Sequence, residues 1–422
     1  MKNSIQSISV IGLGYIGLPT AAVLASRKIK VVGVDIDQHA VDTINRGEIH
    51  IVEPELDIVV HAAVTEGWLR ATTRPEVADA FMIAVPTPFH GNYEPDLSYV
   101  KAASESIAPV LKKGDIVILE STSPVGTTEQ MVEWLAQARP DLVFPAKDRD
   151  ECDVFVAYCP ERVLPGQVIR ELIENDRVIG GVNLVSAVRA QEVYRTFVNG
   201  QLLVTDARTA EMSKLTENAF RDVNIAFANE LSLICDKLGI NVWELIGIAN
   251  HHPRVNILQP GPGVGGHCIA VDPWFIVNKT PDQARLIRQA REVNDSKPRW
   301  VINKVRAAIE SLCEAGKSPR DIRIACFGLA FKPNIDDLRE SPSLDIANKL
   351  ANAYPGQVLV VEPHVEAVPE ELSVSNVKLL DCDDALAQAD VLVMLVDHAR
   401  FKEIKPALRA DQRLVDTKGI WA

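Results

Sequence analysis

The chain has 422 residues, 47% of them hydrophobic, enough apolar material for two or three domains with sizeable cores. A formal net charge of −13 argues against a nucleic-acid partner, because phosphate-backbone binding needs an excess of clustered Lys and Arg. Seven widely spaced cysteines without a C-x-x-C pair read as thiols of a reducing, cytoplasmic compartment rather than as disulfides.

Lys2 and the apolar stretch from Ile8 to Ala25 have the outline of a secretory signal, but the glycines inside that stretch fit another template. Apolar runs such as VLVMLV at 391–396 fall far short of the roughly 18 residues of a membrane span, so no membrane partner is expected.

Residues 7–37, SISVIGLGYIGLPTAAVLASRKIKVVGVDID, read as a strand, a glycine turn, a helix and a second strand ending in acids: one βαβ unit. Gly12, Gly14 and Gly17 form G-x-G-x-x-G across the turn, with Tyr15 and Ile16 inside it. The first glycine permits the tight turn, the second lets a pyrophosphate approach the backbone, and the third lets helix and strand pack closely. Asp35 stands 18 residues beyond Gly17, where a carboxylate accepts hydrogen bonds from ribose hydroxyls and repels a 2′-phosphate, so NAD is expected over NADP even with Arg27 and Lys28 nearby. Strand-like FMIAVPTP (81–88, with Thr87) and DIVILESTSPVGT (115–127, with Thr122) follow, then a helical pattern from Glu129 to Ala138. This alternation predicts a parallel, doubly wound sheet, with Thr122 either at a ligand-bearing strand end or merely capping a turn. In YCPERVLPG (158–166), Glu161 is a candidate proton carrier, or one half of a surface ion pair.

A helical period opens near Thr209, with Met212, Leu215, Phe220, Val223, Phe227, Leu231 and Ile234 at spacings of three and four. Thr209 would cap its start and Gly239 its end, and its length suits a domain connector and packing surface. Lys214 and Asn218 share a face four residues apart, where a cation and an amide can converge on one oxygen, or form a solvated stripe. Asn218, Asn224 and Asn229 are poor mid-helix residues, so something other than helix stability is expected to select them.

GPGVGGHCIAVDP (261–273) sets Cys268 behind Gly261, Gly263, Gly265 and Gly266. Such a loop can bare N–H groups to an anion or oxyanion. Set against an inert buried cysteine, a thiol beside a nicotinamide has a use: its adduct with an aldehyde can surrender hydride and leave a thioester. No metal site is expected, since His267 beside Cys268 and His251 beside His252 lack zinc-ligand spacing. From about Asp321 the opening plan returns in IRIACFGLAF, LDIANKLANA, QVLVVEP and ADVLVMLVDH. Gly328 is kept but Ala330 replaces the next glycine, which suits a mononucleotide better than a second dinucleotide. The expected fold is thus α/β, with two Rossmann-like doubly wound domains joined by a long central helix. The boundaries are 1–200, 201–300 and 301–422.

Taken together, GLGYIGLP, VPTP, STSPVGT, PERVLPG, AEMSKLTENAF, GPGVGGHC and FGLAFKPNIDDLRESPS resemble, over essentially the whole chain and in order, the nucleotide-sugar 6-dehydrogenases typified by UDP-glucose dehydrogenase. HPRVNILQPGPGVGGHCIAVDPWF is similar to the branch that oxidises N-acetylated sugars. The resemblance implies Cys268 as nucleophile, Lys214 and Asn218 on the oxygen of the reacting carbon, Glu161 handling protons, and Thr122 and Asp272 holding water. It implies cofactor contacts from Gly12, Gly14, Tyr15, Ile16, Gly17, Asp35, Thr87, Thr122 and Arg339. For the UDP-sugar it implies Glu161, Arg162, Val163, Lys214, Asn218, Gly265, Lys332 and Arg339, with Arg254 reaching the neighbouring subunit of a homodimer. Two positions depart from the glucose branch, which commonly has lysine at Val271 and a second glutamate at Pro165. The sugar therefore stays open among UDP-glucose, UDP-N-acetylglucosamine, GDP-mannose and other N-acetylated sugars. A catalytically silent sensor of NAD and nucleotide sugar is the reading from another class.

Overall fold

The computed structural model describes residues 5–51, 53–91, 93–164, 166–266, 268–373, 376–404 and 406–421. Pro165 and His267 lie outside the described residues. The chain divides into two compact units, Met1–Glu217 and Asn218–Ala422.

In the first unit, strands β1 (Ser7–Ile11), β2 (Lys30–Val34), β3 (Leu69–Thr72), β4 (Ala80–Ile83), β5 (Ile116–Leu119), β6 (Phe155–Tyr158), β7 (Arg177–Gly181) and β8 (Leu202–Asp206) make one sheet. Their order is β8-β7-β6-β5-β4-β1-β2-β3. Helix α1 (Gly17–Ser26) joins β1 to β2. Side chains alternate between two cores, as a sheet covered on both faces requires: Ile8, Val10, Ala80 and Met82 enter one, Ile11, Phe81 and Ile83 the other. The sheet is parallel from β3 across to β6, as expected. It then reverses, because β6 and β7 are antiparallel through Ala157–Gly181 and Tyr158–Gly180. The start of β7 therefore lies beside the end of β6, where the loop bearing Glu161 begins.

Helix α2 (Ala207–Leu238) starts in the first unit and continues into the second. Its N-terminus corrects the expected cap: Asp206, not Thr209, accepts the Thr209 N–H at 3.0 Å and its hydroxyl at 2.6 Å. At the other end Gly239 has φ of 69°, and the Ile240 N–H reaches the Cys235 carbonyl at 2.9 Å, a Schellman closure. The period is helical as expected, but of the apolar stripe only Leu215 is buried, with Val223 and Leu231 half-buried. Glu211, Lys214, Asn218, Asp222, Asn229 and Ser232 are buried, whereas Phe227, Ile234 and Phe220 are exposed, the last at 68%.

The second unit contains helices α3 (Asp272–Lys279) and α4 (Arg285–Glu314) and a fully parallel sheet. Its strands are β9 (Ile324–Phe327), β10 (Val358–Val361), β11 (Lys378–Leu379), β12 (Val391–Met394) and β13 (Arg413–Asp416), ordered β11-β10-β9-β12-β13. The first strand is central and the next two step to one side, repeating the β3-β2-β1-β4 plan of the first unit. Along β9, Ile324 and Cys326 enter one core, Ala325 and Phe327 the other.

Candidate active site

The glycine turn follows β1 at the point where strand order reverses, the usual ligand crevice of such sheets. Gly12 has φ of 90°, and a Cβ there would meet the Ala84 carbonyl oxygen at 2.6 Å; one on Gly17 would meet the Gly12 carbonyl oxygen at 1.7 Å. Nothing lies within 4 Å of where a Gly14 Cβ would sit, so this backbone is open to a pyrophosphate. Asp35 accepts the Leu13 N–H at 2.8 Å through one oxygen and the Asp37 N–H at 3.0 Å through the other. The acid is locked to the turn, and each oxygen retains a lone pair for a ribose hydroxyl. Ile36 beside it is 92% exposed, a site feature that sequence reading passed over because a single apolar residue after a strand has no periodic signal. Tyr15 and Ile16 lie in the turn ahead of α1, Tyr15 exposed and Ile16 half-buried. Thr87 and Thr122, from loops after the neighbouring strands β4 and β5, are joined by the Thr87 hydroxyl donating to the Thr122 carbonyl at 2.5 Å. Thr122 caps no helix: the next one runs Thr127–Ala138 with Gly126 at its N-cap. These groups fit NAD. Gly14→Ala is expected to keep the wild-type Tm while raising the KM for NAD about tenfold or more; Gly17→Ala is expected to lower Tm, because its added methyl has no space. Thermal melts and NAD titrations of the two variants check the split.

Beyond β6, the Glu161 carboxylate meets the Lys214 ammonium at 3.0 Å, with side chains only 12% and 8% exposed. This replaces both bland expectations, the surface ion pair and the solvated stripe. Val163 N–H holds the other Glu161 oxygen at 3.0 Å. Arg162 turns to Glu217 at 2.8 Å.

In the second unit, the Asn218 amide donates to the buried carboxylate of Asp272 at 2.6 Å. Asp272 opens α3, where a helix N-terminus favours an anion. The N–H groups of Val271 and Asp272 both donate to the Cys268 carbonyl, at 3.1 and 2.9 Å. Cys268 is the one exposed cysteine of the seven, and no disulfide joins any of them. Burial pushes the Cys159 and Cys326 thiols up to about 12 and Cys382 up to about 11, which keeps them protonated and inert.

Three of the glycines before Cys268 stand where a side chain has no room. A Cβ on Gly263 would meet Pro342 at 2.8 Å, one on Gly265 the Glu340 carbonyl oxygen at 2.3 Å, and one on Gly266 the Phe331 ring at 3.0 Å. They allow the cysteine loop to lie directly on the loop that follows β9. That second loop carries Lys332, exposed, and Arg339, which grips Asp337 with two hydrogen bonds at 2.9 and 2.7 Å. Arg254, also exposed, has its N–H on His252 Nδ1 at 3.3 Å.

Two of the three mid-helix asparagines now have partners far along the chain. Asn218 holds Asp272. Asn229 accepts the Gly261 N–H at 2.9 Å and donates to Asn294 Oδ1 at 2.8 Å. Asn294 in turn donates to Asp222 at 2.8 Å, and Asp222 meets Arg291 at 2.7 Å. A buried chain of hydrogen bonds thus runs from an α2–α4 ion pair to the first glycine of the cysteine loop. Lys297 extends it by donating to Ser232 at 2.7 Å, and burial pushes this amine down to about 7. Among the described residues the Asn224 side chain bonds only the Phe220 carbonyl of its own helix, and nothing in the structure explains it.

The second sheet copies the first turn in part. Gly328 has φ of 90° and the Leu329 N–H donates to Glu362 at 2.7 Å, as Leu13 does to Asp35. Glu362 also accepts from the Ala330 and His364 N–H groups and contacts His398 Nε2 at 3.1 Å. His398 Nδ1 accepts the Asn334 N–H, so its proton lies on Nε2 and is given to the carboxylate. Burial works to raise the Glu362 pKa, but these donors outweigh it and hold it low. The ligand atoms of Glu362, His364 and His398 fall within 4.8 Å of one another, and the bonds just described already engage the Glu362 carboxylate and both ring nitrogens of His398. Three of the four contacts fall on Glu362 Oε2, so this carboxylate is more fully engaged than Asp35 in the first turn. Neither Glu362 nor His398 was picked out in the sequence; the alignment of VVEP with GVDID was the available signal.

Models of one family match the chain in order: UDP-glucose/GDP-mannose dehydrogenase family, NAD binding domain over residues 6–198, central domain over 208–296 and UDP binding domain over 325–422. A UDP-N-acetyl-D-mannosamine dehydrogenase of Yersinia pestis is 65% identical over 419 residues, covering 99% of this chain and 100% of the relative. An NDP-N-acetyl-D-galactosaminuronic acid dehydrogenase of Ralstonia nicotianae is 61% identical over 417 residues, 99% of this chain and 96% of that one. The solved UDP-D-ManNAc dehydrogenase of Pyrococcus horikoshii superposes with a TM-score of 0.86 at 38% identity, covering 98% of this chain and 96% of the other. The chain belongs to the UDP-glucose/GDP-mannose dehydrogenase family. It is an NAD-dependent oxidoreductase. Among the described residues no helix is long and apolar enough to cross a membrane.

Proposed function

We propose that this protein oxidises the 6-hydroxymethyl group of UDP-N-acetyl-D-mannosamine to a carboxylate, a four-electron reaction supplying the uronate for a surface polysaccharide such as enterobacterial common antigen. Cys268 carries the reading: it is the one exposed thiol, and its loop lies against the Lys332–Arg339 loop. The full-length likeness to the Yersinia enzyme supports the sugar. Gly12, Gly14, Gly17, Asp35, Thr87 and Thr122 would hold NAD, which would supply the hydride acceptor for each of the two oxidations of the sugar carbon. Lys214 and Asn218 steady the oxygen of that carbon. The Cys268 thiolate adds to the aldehyde carbon as its C=O opens, and the second oxidation leaves a thioester. Water held by Thr122 and Asp272 adds to the thioester carbon and gives a proton to Glu161; the C–S bond breaks, freeing the acid and the thiolate. Ile36 would cover the adenine, while Lys332 and Arg339 would face the diphosphate, Arg339 by releasing Asp337.

The active form is proposed to be a cytoplasmic homodimer in which Arg254 reaches the partner's substrate. The exposed stripe of Phe220, Phe227 and Ile234 supports association, since apolar patches on a helix face favour being covered. The Ralstonia relative favours one second reading, the same chemistry on an N-acetylgalactosamine nucleotide. Purified protein followed at the NADH absorbance over a panel of UDP- and GDP-sugars is expected to form two NADH per UDP-N-acetyl-D-mannosamine consumed. A ratio of one with aldehyde accumulating rejects the thioester step, faster turnover of another sugar moves the substrate, and binding without NADH on any sugar favours the silent sensor.

A further inference from the structure

The loop that carries Glu161 is pinned by side chains to a degree that its length does not require. The Pro160 carbonyl accepts from Arg177 Nη1 at 3.2 Å and the Arg162 carbonyl from Asn175 Nδ2 at 2.8 Å, so the carbonyls of the residues before and after Glu161 are gripped by one short stretch. Farther on, Glu171 accepts the Leu164 N–H at 2.7 Å, and the buried Glu53 accepts those of Gly166 and Val168 at 2.9 and 2.8 Å. The reversal of the sheet makes this possible: an antiparallel β7 begins beside the end of β6, whereas a parallel strand would begin at the far edge.

Arg177 is an expensive residue for that place. It is 1% exposed, its Nε and Nη2 have no hydrogen-bond partner among the described residues, and its guanidinium sits 5.7 Å from the Tyr194 ring centre. Glu120 is also buried, which pushes its pKa up; one oxygen receives the Tyr194 hydroxyl at 2.7 Å, the other is unbonded among the described residues, and no ion pair among them joins it to Arg177. A core strand position filled for stability alone would favour an apolar side chain, since a buried charge with incomplete hydrogen bonds is costly. The directed bond that Arg177 makes goes to the carbonyl one residue before Glu161.

We propose that Asn175 and Arg177 are positioning residues for Glu161, fixing the backbone on either side so that its carboxylate stays on Lys214 and in line for the proton of the hydrolytic water. Among the described residues neither side chain bonds the glycine turn, so their effect falls on thioester hydrolysis and not on hydride removal. This inference rests on the thioester reading above.

The test is a rapid-mix experiment on the full-length protein with UDP-N-acetyl-D-mannosamine and NAD. It follows the NADH burst of the first turnover, the steady-state rate, and the Cys268-linked acyl adduct by intact-protein mass. Asn175→Ala leaves every buried charge in place, Arg177→Lys keeps the cation but shortens its reach, and Arg177→Met combined with Glu120→Gln removes both charges so that folding is not the issue. Each is expected to cut steady-state turnover about 10- to 100-fold, leave the burst rate within about twofold of wild type, and accumulate the acyl adduct. Burst and steady state falling together with no adduct, or neither changing, overturns the proposal. Glu161→Gln separates the two layers. If it traps adduct and the Asn175 and Arg177 variants do not, only the positioning role falls. If it forms neither adduct nor a two-NADH burst, the thioester reading falls and takes this proposal with it.

Discussion

A Cys268→Ser variant is expected to lose acid formation by on the order of a thousandfold or more, with thermal stability unchanged. The side chain is exposed, so replacing sulfur by oxygen removes no core contact. A serine hydroxyl is far less ionised and less nucleophilic than a thiol near neutral pH, so the aldehyde would not be captured and no thioester would form. Separating alcohol, aldehyde and acid by chromatography after single and multiple turnovers checks this. Acid produced at the wild-type rate would remove Cys268 from the reaction; Cys159, Cys326 and Cys382 would not stand in for it, since burial holds them as thiols.

Asp222→Ala is expected to be the most destabilising single change in the second unit, by about 3 kcal/mol. Asp222 is wholly buried and Arg291 nearly so, so the alanine would strand a guanidinium whose other carboxylate partner is the half-exposed Asp295. Asn294 would lose one acceptor and keep the Asp222 backbone carbonyl, loosening the chain through Asn229 to Gly261. Asp222→Asn, which keeps an acceptor but not the charge, should lose less, and Asp222→Leu with Arg291→Met should recover much of the stability without recovering the tether. Urea melts of the set, read with Cys268 alkylation rates, test both halves. Equal stability of Asp222→Ala and wild type would mean that the ion pair has no net worth.

Much of this site could be read from contiguous residues. The G-x-G-x-x-G turn needs Gly12 at positive φ and Gly17 against the Gly12 carbonyl, demands set within a dozen residues of chain, and Asp35 follows at a spacing set by one helix and one strand. The repeat of that plan from Asp321 onward was visible for the same reason, as was the Gly239 stop of the long helix. Reading failed where a residue's meaning depended on a distant partner. Apolar spacing along α2 announced a helix and then pointed to the wrong face, because Asp222, Asn229 and Ser232 find buried partners on α4, some 65 to 69 residues away. Thr209 looked like a cap because the better one, Asp206, sits at the end of a strand.

By itself, the sequence determined the two Rossmann-like sheets and the nucleotide turn, since backbone permission and side-chain period are properties of neighbours in the chain. Only the tertiary structure decided the reversal between β6 and β7, the burial of the Glu161–Lys214 pair, and the use of Gly263, Gly265 and Gly266 to bring the Cys268 loop onto Phe331, Glu340 and Pro342. Those outcomes depend on which buried polar group finds which partner and how closely two backbones can approach, and no local pattern carries either quantity.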